Sequence, residues 1–180
     1  MIIMTVRDII LHPDPKLKKI CTPIEGITDD LRTLVEEMLE TMYNAPGIGL
    51  AAPQVGVLKR VFVMDCRDSG ETSEPLVLIN PKVVWSSNEK KVYEEGCLSI
   101  PDFFGEIERP SAVKVTSFDI EGNLNSHDFD GLWATCAQHE IDHLNGKLFI
   151  DYLGPMRRSL ITSKMRKIKK EKMRKNEIEK

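Results

Sequence analysis

Apolar side chains in the first part of the chain recur with helical spacing. Over residues 31–42 they fall three or four positions apart, which predicts an amphipathic helix. Thr28 supplies an N-cap, and Asp29 and Asp30 place negative charge in the first turn. Pro46 ends the pattern, because proline cannot continue a helix. We therefore predict a helix that begins after Thr28 and ends before Pro46.

The middle of the chain has short runs rich in Val, Ile and Phe, as is typical of strands. These runs cover residues 60–66, 76–79, 83–85, 113–119 and 124–129. Asn80 and Pro81 separate the second run from the third, and proline there predicts a break or a sheet edge. A turn over residues 121–123 predicts that the last two runs form a hairpin.

Two later segments return to helical spacing. The first covers about residues 132–144 and is ended by Gly146. The second covers roughly residues 155–175. Its narrow apolar stripe consists of Leu160, Ile161, Met165 and Ile168. Grouped strands with segregated helices favour an α+β fold over a fold in which strands and helices alternate along the chain.

Composition is consistent with one compact domain. The chain has 180 residues, of which 41% are hydrophobic and 29% charged. We assign residues 1–156 to the main body of this domain and residues 157–180 to a basic C-terminal helix of the same domain. No apolar run approaches the ~20 residues that span a bilayer, and no signal peptide is recognisable. The expected location is the cytoplasm.

Charge is distributed unevenly around the net value of −3. Residues 157–180 hold 11 Lys and Arg against 3 Glu, whereas residues 1–156 hold 14 against 25 acidic residues. An acidic body with a basic tail indicates an anionic partner for the tail. A solvated helix face is the alternative explanation for the tail.

The strongest chemical signal is residues 139–143, HEIDH, within a predicted helix. His139 and His143 are one turn apart on one face, so both imidazoles can reach one metal ion. Glu140 is placed to touch a water molecule on that ion. Two histidines that fall four apart by chance are the alternative.

A catalytic site of this kind needs a third protein ligand and one open position. Zinc proteases commonly extend the motif to HExxHxxGxxH. In this chain the last position of the longer motif is Phe149, and a phenylalanine cannot bind a metal. Carboxylates follow the motif at Asp151, Glu171, Glu177 and Glu179. The three glutamates lie in the basic tail, so we expect the third ligand upstream.

Four cysteines are scattered without CxxC spacing, which makes a disulfide framework unexpected. Cys136 shares a helix face with the histidines, but it is roughly 10 Å along the axis from His143. One ion cannot gather both with His139, so Cys136 is interpreted as a small buried residue beneath the site. Cys97 follows Gly96 and is either a ligand or an ordinary buried thiol.

Three stretches together resemble the signature motifs of peptide deformylases. They are residues 47–54, GIGLAAPQ, residues 95–99, EGCLS, and residues 138–144, QHEIDHL, followed by Gly146. The resemblance covers nearly the whole chain and includes the basic C-terminal helix of the Gram-negative type. It implies a compact α+β domain in which antiparallel strands surround the HExxH helix.

The resemblance also implies the roles of individual residues. Cys97, His139 and His143 would bind the metal, with water as fourth ligand, and Glu140 would be the general acid and base. Gln54 and the backbone N–H of Leu98 would hold the developing oxyanion. The family metal is usually Fe²⁺, often replaced by Ni²⁺, Co²⁺ or Zn²⁺. The usual affinity order favours Zn²⁺ over Fe²⁺, so the residues alone do not select iron.

The expected reaction removes the N-formyl group from the first methionine of nascent polypeptides and releases formate. Ile48 and Leu132 match family positions that line the methionine pocket, with Cys136 nearby; ordinary core packing is the alternative. Gly47 and Gly49 leave backbone groups accessible, so that a peptide can add as a strand. Such pairing gives affinity without reading the peptide sequence.

Two further expectations concern contacts. Arg109 and Glu95, which we also count among the substrate-binding residues, are predicted to form an ion pair that braces the Cys97 loop. The resemblance implies that the basic helix docks on ribosomal RNA near the exit tunnel, with strong salt dependence. We expect a monomer.

Three other functions remain compatible with these residues. A zinc endopeptidase shares HExxH but has no need of Gln54 or a thiolate. An RNA-binding module would carry a structural metal, yet structural sites normally have four protein ligands. A diverged family member would act on another N-acyl group.

Overall fold

The computed structural model describes residues 5–67 and 72–178, with side chains described as far as residue 174. Within these residues the three α-helices are α1, Asp29–Asn44, α2, Gly131–Leu144, and α3, Pro155–Ile178. Short 3₁₀ helices cover Pro15–Lys18, Ala52–Val55 and Phe149–Tyr152. None of the described helices is long and apolar enough to cross a membrane.

Seven strands form two antiparallel sheets in the described part of the chain. They are β1, Gly49–Ala51, β2, Val61–Met64, β3, Leu76–Ser86, β4, Lys90–Cys97, β5, Ile100–Pro110, β6, Ala112–Phe118, and β7, Leu124–Asp130. The larger sheet has the order β1-β2-β3-β6-β7, and β4 pairs only with β5. This arrangement confirms the α+β prediction.

Helix α1 forms as its sequence predicts. The side chain of Thr28 accepts a hydrogen bond from the Leu31 N–H at 3.2 Å, which satisfies a backbone donor at the helix start. The apolar face, including Leu34, Met38 and Met42, is buried against β1 and β2. Burial of this face is what holds the helix in place.

Helix α2 packs on the five-stranded sheet through small and aliphatic side chains. Ala134, Ala137, Ile141 and Leu144 are buried in one cluster with residues of β2, β3 and β6. The helix ends at Leu144, and Gly146 two positions later has a φ of +72°. An added Cβ at Gly146 would lie 2.5 Å from the Lys18 carbonyl oxygen, so both conformation and space require glycine there.

The predicted break at Asn80 and Pro81 is wrong. Strand β3 continues through both residues and lies between β2 and β6, so it is not an edge. The register shifts between Ile79 and Lys82, and Asn80 has a φ of +50°. This bulge accommodates the proline that a regular central strand would exclude.

The hairpin of β4 and β5 was not predicted. Its strands carry many charged residues, and β4 has only Glu95 buried, so it lacks the apolar alternation that predicts a strand.

The apolar stripe on α3 was predicted with one error. Ile161 and Met165 are buried beside Phe149, whereas Leu160 is exposed.

Candidate metal centre

Helix α2 presents two imidazoles to one point. His139 and His143 are buried, and their Nε2 atoms are 3.2 Å apart. The rings meet edge to face with centroids 4.9 Å apart. This is the arrangement expected for positions four apart on a helix whose side chains share one target.

The third donor comes from the hairpin. Cys97 is the last residue of β4, and its Sγ is 3.3 Å from His143 Nε2. The ligand atoms of Cys97, His139 and His143 all lie within 4.8 Å of one another. The structure thus brings together residues separated by more than 40 positions in the chain.

This donor set fits a transition-metal ion. Sulfur and nitrogen ligands about 2.0–2.3 Å from a tetrahedral centre lie roughly 3.3–3.7 Å from one another, close to the spacing found here. Thiolate and imidazole are also the donors that such ions prefer. Among the described residues, no further His, Cys, Asp or Glu joins this group, so it leaves a coordination position free.

The alternative ligands lie elsewhere. Asp151 Oδ2 accepts a hydrogen bond from the Leu148 N–H and contacts Lys18 Nζ. Glu171 is exposed, and the side chains of Glu177 and Glu179 lie outside the described residues. Cys136 is buried below the site, with its Sγ 3.6 Å from the Ile48 carbonyl oxygen.

An ionic network that is buried at Glu95 and Arg109 contacts His139 through its Nδ1 atom. Glu95 Oε2 is 2.9 Å from His139 Nδ1, and the carboxylate accepts two bonds from Arg109, at 2.5 and 3.0 Å. Arg109 Nη1 donates to Asp142 at 2.9 Å, and Tyr152 donates to the same oxygen at 2.8 Å. We call these four residues, Glu95, Arg109, Asp142 and Tyr152, the Arg109 network.

The predicted ion pair of Glu95 and Arg109 is therefore present and buried, with side chains only 4% and 6% exposed. Burial by itself raises the pKa of Glu95, but His139 and Arg109 outweigh it and lower that pKa below its usual value. The carboxylate stays ionised and can orient the His139 ring for a metal.

Glu140 faces the same cavity as the histidines. Its Oε2 is buried and makes no hydrogen bond among the described residues. Burial is the main reason that its pKa rises to about 7. A carboxyl group with this pKa exchanges protons readily near neutral pH.

Gln54 is held in place near Cys97 by hydrogen bonds from both ends of its side-chain amide. Its Oε1 accepts the Ala51 N–H at 2.9 Å, and its Nε2 is 3.2 Å from Ser99 Oγ and 3.5 Å from Cys97 Sγ. Leu98 occupies the turn between β4 and β5. The amide of Gln54 and the hairpin turn therefore border the candidate metal centre beside Cys97.

A cavity of about 620 Å³ opens in front of these residues. Its lining includes most of the residues that the sequence singled out: Gly47, Ile48, Gly49, Gln54, Glu95, Cys97, Leu98, Leu132, Cys136, His139 and Glu140. Ile48 and Leu132 are 41% and 43% exposed. Arg109 is not part of the lining but contacts Glu95, which is.

Three neighbours of the centre were missed by the sequence reasoning. Ser99 accepts a hydrogen bond from Gln54, and Asp142 and Tyr152 complete the Arg109 network. Asp142 lies inside the HEIDH motif and was detectable from that position. Tyr152 offered no such signal, because only the return of the chain after α2 brings it to Asp142.

Comparisons with known proteins agree on one family. The polypeptide deformylase family profile matches residues 6–159. A peptide deformylase of Rhizobium meliloti is 54% identical over 167 residues, covering 93% of this chain and 96% of that protein. A peptide deformylase of Brucella suis is 49% identical over 165 residues, covering 92% and 94%.

Solved structures give the same result. The crystal structure of peptide deformylase from Ehrlichia chaffeensis superposes with a TM-score of 0.89 at 38% identity, covering 94% of this chain and 99% of that one. A Met-Ala-Ser-bound peptide deformylase from Acinetobacter baumannii has a TM-score of 0.80 at 34% identity, covering 84% and 100%. The similarity thus extends over both sheets and α2.

Proposed function

Because the chain belongs to the polypeptide deformylase family, whose enzymes remove N-formyl groups from nascent polypeptides, we propose which of its residues carry out that hydrolysis. The family uses a single divalent metal ion. Cys97, His139 and His143 hold this ion. The observation that supports the assignment is the convergence of their three donor atoms beside a buried glutamate.

A divalent cation at this position supplies positive charge that makes water a nucleophile near pH 7. Glu140 accepts the proton of the attacking water and delivers it to the departing amine. Its burial supports this role, since a pKa of about 7 suits both accepting and donating a proton.

The developing negative charge on the formyl oxygen is stabilised by two donors. They are Nε2 of Gln54 and the backbone N–H of Leu98. The anchoring of Gln54 through Ala51 and Ser99 supports its role, because a fixed donor needs no reorganisation during the reaction. Losing one such donor typically costs ~10²–10³ in rate.

The peptide binds along the edge of β1. This strand is the outer strand of the larger sheet, and Gly47, Ile48 and Gly49 line the cavity. An extended peptide pairs with the backbone there, and its first side chain enters the apolar space beside Ile48, Leu132 and Cys136. The Acinetobacter baumannii relative is bound to Met-Ala-Ser, which supports a peptide that begins with methionine as the ligand.

Further assignments rest on family resemblance. We propose Fe²⁺ as the native ion, with Zn²⁺, Ni²⁺ or Co²⁺ as replacements, and a monomer that works in the cytoplasm. Residues 1–156 carry the chemistry. The basic helix, residues 157–180, belongs to the same domain and docks on ribosomal RNA. Ribosome binding should fall steeply with salt and disappear when residues 157–180 are deleted.

The test is a formate-release assay on formyl-Met-Ala-Ser with anaerobically prepared, iron-loaded enzyme. The wild type is expected to release formate, and Glu140→Gln to lose at least ~10² of the rate because the proton carrier is gone. Glu36→Gln, an exposed acid on α1, is the matched control and keeps full activity.

Two outcomes contradict the proposal. One is a Glu140→Gln variant with wild-type activity, and the other is cleavage of internal bonds in unformylated peptides instead of formate release. Metal content measured on Cys97→Ser, His139→Gln and His143→Gln separates loss of the ion from loss of the acid and base. Each of these variants should bind less metal, whereas Glu140→Gln should bind as much as the wild type.

A further inference from the structure

A second cavity lies away from the metal centre. It has a volume of about 480 Å³ and shares no lining residue with the first cavity. Three parts of the chain border this open cavity: the N-terminal segment at His12 and Lys18, the 3₁₀ helix Phe149–Tyr152, and the first three turns of α3. Its size is within the range of small-molecule sites.

The α3 side of this cavity is a polar stripe. Arg158, Ser159, Thr162, Ser163 and Arg166 line it, with the three- and four-residue spacing that keeps side chains on one helix face. Ile161 and Met165 point into the core next to this stripe. One side of α3 therefore anchors the helix, and the adjoining side turns cations and hydroxyls toward the cavity.

Charge in the lining is unbalanced. Lys18, Arg158 and Arg166 face one carboxylate, Asp151. That carboxylate is already engaged, because it pairs with Lys18, accepts the Leu148 N–H at 2.8 Å and lies 3.8 Å from Arg158. Among the residues whose side chains are described, no carboxylate lies within 4 Å of the Arg166 guanidinium. An uncompensated cation in a concave polar site is complementary to an anion.

His12 adds a buried polar group without a complete set of partners. Its side chain is only 6% exposed. Its Nε2 shares a 2.9 Å hydrogen bond with Thr162 Oγ1, while Nδ1 has no partner among the described residues. Lys18, Asp151, Arg166 and Lys169 act on it from the surrounding elements, and burial with this mainly positive surrounding lowers its pKa to about 4.

We propose that this basic cavity, lined by His12, Lys18, Arg158, Thr162 and Arg166, is a binding site for a small phosphate-bearing anion. Tetrahedral phosphate oxygens suit a guanidinium fork, an ammonium and hydroxyl donors arranged around one space. The N-terminal end of α3 adds partial positive charge on the same side. The volume leaves room for the organic part of a phosphate monoester beside the phosphate.

The site is distinct from the proposed docking of the basic tail on RNA. Tail docking draws on exposed cations along the whole helix, and each contributes in a similar way. The cavity instead makes a local prediction, in which one arginine of α3 matters and an equivalent arginine farther along the helix does not.

The experiment titrates the full-length, metal-loaded protein with inorganic phosphate and, separately, with adenosine 5′-monophosphate. Sodium chloride keeps the ionic strength constant. Calorimetry measures the affinity, and the imidazole resonances of His12 report on the site. Saturable binding with a rise in the pKa of His12 is expected for at least one of the two probes, because an anion beside an imidazole favours its charged form.

Arg166→Gln is expected to weaken that affinity roughly tenfold through loss of charge-assisted hydrogen bonds. Arg174→Gln is the matched control, since it removes the same charge from an exposed position roughly 12 Å farther along α3. It should leave the affinity unchanged. Thr162→Val tests the site by a second route, without changing charge, and should also weaken binding.

The two probes separate the possible sources of the phosphate. Binding of adenosine monophosphate alone, or much tighter binding of it, assigns a phosphate ester, and equal binding assigns the phosphate group itself. The proposal is wrong if neither probe gives saturable binding. It is equally wrong if Arg166→Gln and Arg174→Gln weaken binding by the same factor, or if phosphate binds without affecting His12.

Discussion

Two arginines of this protein stand in opposite electrostatic situations. Arg109 is buried and donates three hydrogen bonds to the carboxylates of Glu95 and Asp142, within the network that contacts His139. Arg158, on the open side of the molecule, is half exposed and reaches Asp151 only at 3.8 Å. The comparison teaches that charges balanced by neighbours position other groups, whereas charges left in excess remain available to a ligand.

The largest effect on stability is expected when the Arg109 network loses its arginine. Arg109→Met leaves the buried Glu95 and the partly buried Asp142 without their counter-charge, which should destabilise the fold by about 3–5 kcal/mol. Urea unfolding measures this free energy. A loss below about 1 kcal/mol would mean that the network contributes little, and the comparison with Arg158 would fail.

Close packing offers the next test. At Gly49 an added Cβ would lie 2.5 Å from Glu140 Oε1 and 2.8 Å from Cys136 Sγ. Gly49→Ala should therefore displace Glu140 and lower kcat/KM about 100-fold, since displacements of ~1 Å are that costly. Gly154→Ala, beside α3, is the control because nothing lies within 4 Å of its added Cβ. Equal activities for the two variants would contradict the assigned role of Glu140.

A smaller effect is expected for His12. Its pKa is about 4 in the fold and about 6.5 when unfolded, so the unfolded chain binds more protons between these values. The contribution of His12 to the free energy of unfolding is therefore fully present above pH 6.5. It falls by on the order of 2 kcal/mol as the pH drops toward 4. Unfolding measured across this range should give a shallower slope for His12→Gln. An unchanged slope would show that His12 is not buried in its neutral form.

The smallest effect belongs to Arg158. Arg158→Met removes a half-exposed ion pair and should change stability by at most about 0.5 kcal/mol. The same substitution at Arg109 and at Arg158 thus compares the two environments directly. Similar losses at both positions in urea unfolding would remove the distinction between a closed and an open arginine.

Much of the local structure follows from the sequence alone. Thr28 and the apolar spacing after it determine α1, and the spacing of His139 and His143 places both rings on one face of α2. These features depend on contacts between residues at most four positions apart. Helical geometry fixes such contacts before any tertiary packing exists.

Other features needed the whole fold. The hairpin of β4 and β5 has few buried apolar residues and gave no strand pattern, although it carries Cys97. Residue spacing left Cys97 open between a ligand and a simple thiol, and only family resemblance favoured the ligand. Tyr152 and the basic cavity also escaped detection, because they depend on where separate segments meet.

The chain's own sequence therefore determined its helices, most of its strands and the two imidazoles of the metal centre, since these depend on short-range geometry and apolar periodicity. Tertiary structure decided which sulfur joins the imidazoles, which carboxylates neutralise Arg109, and that Arg166 near His12 has no carboxylate partner among the described side chains. Those outcomes are distances between residues far apart in the chain, and packing of the sheets and helices sets them.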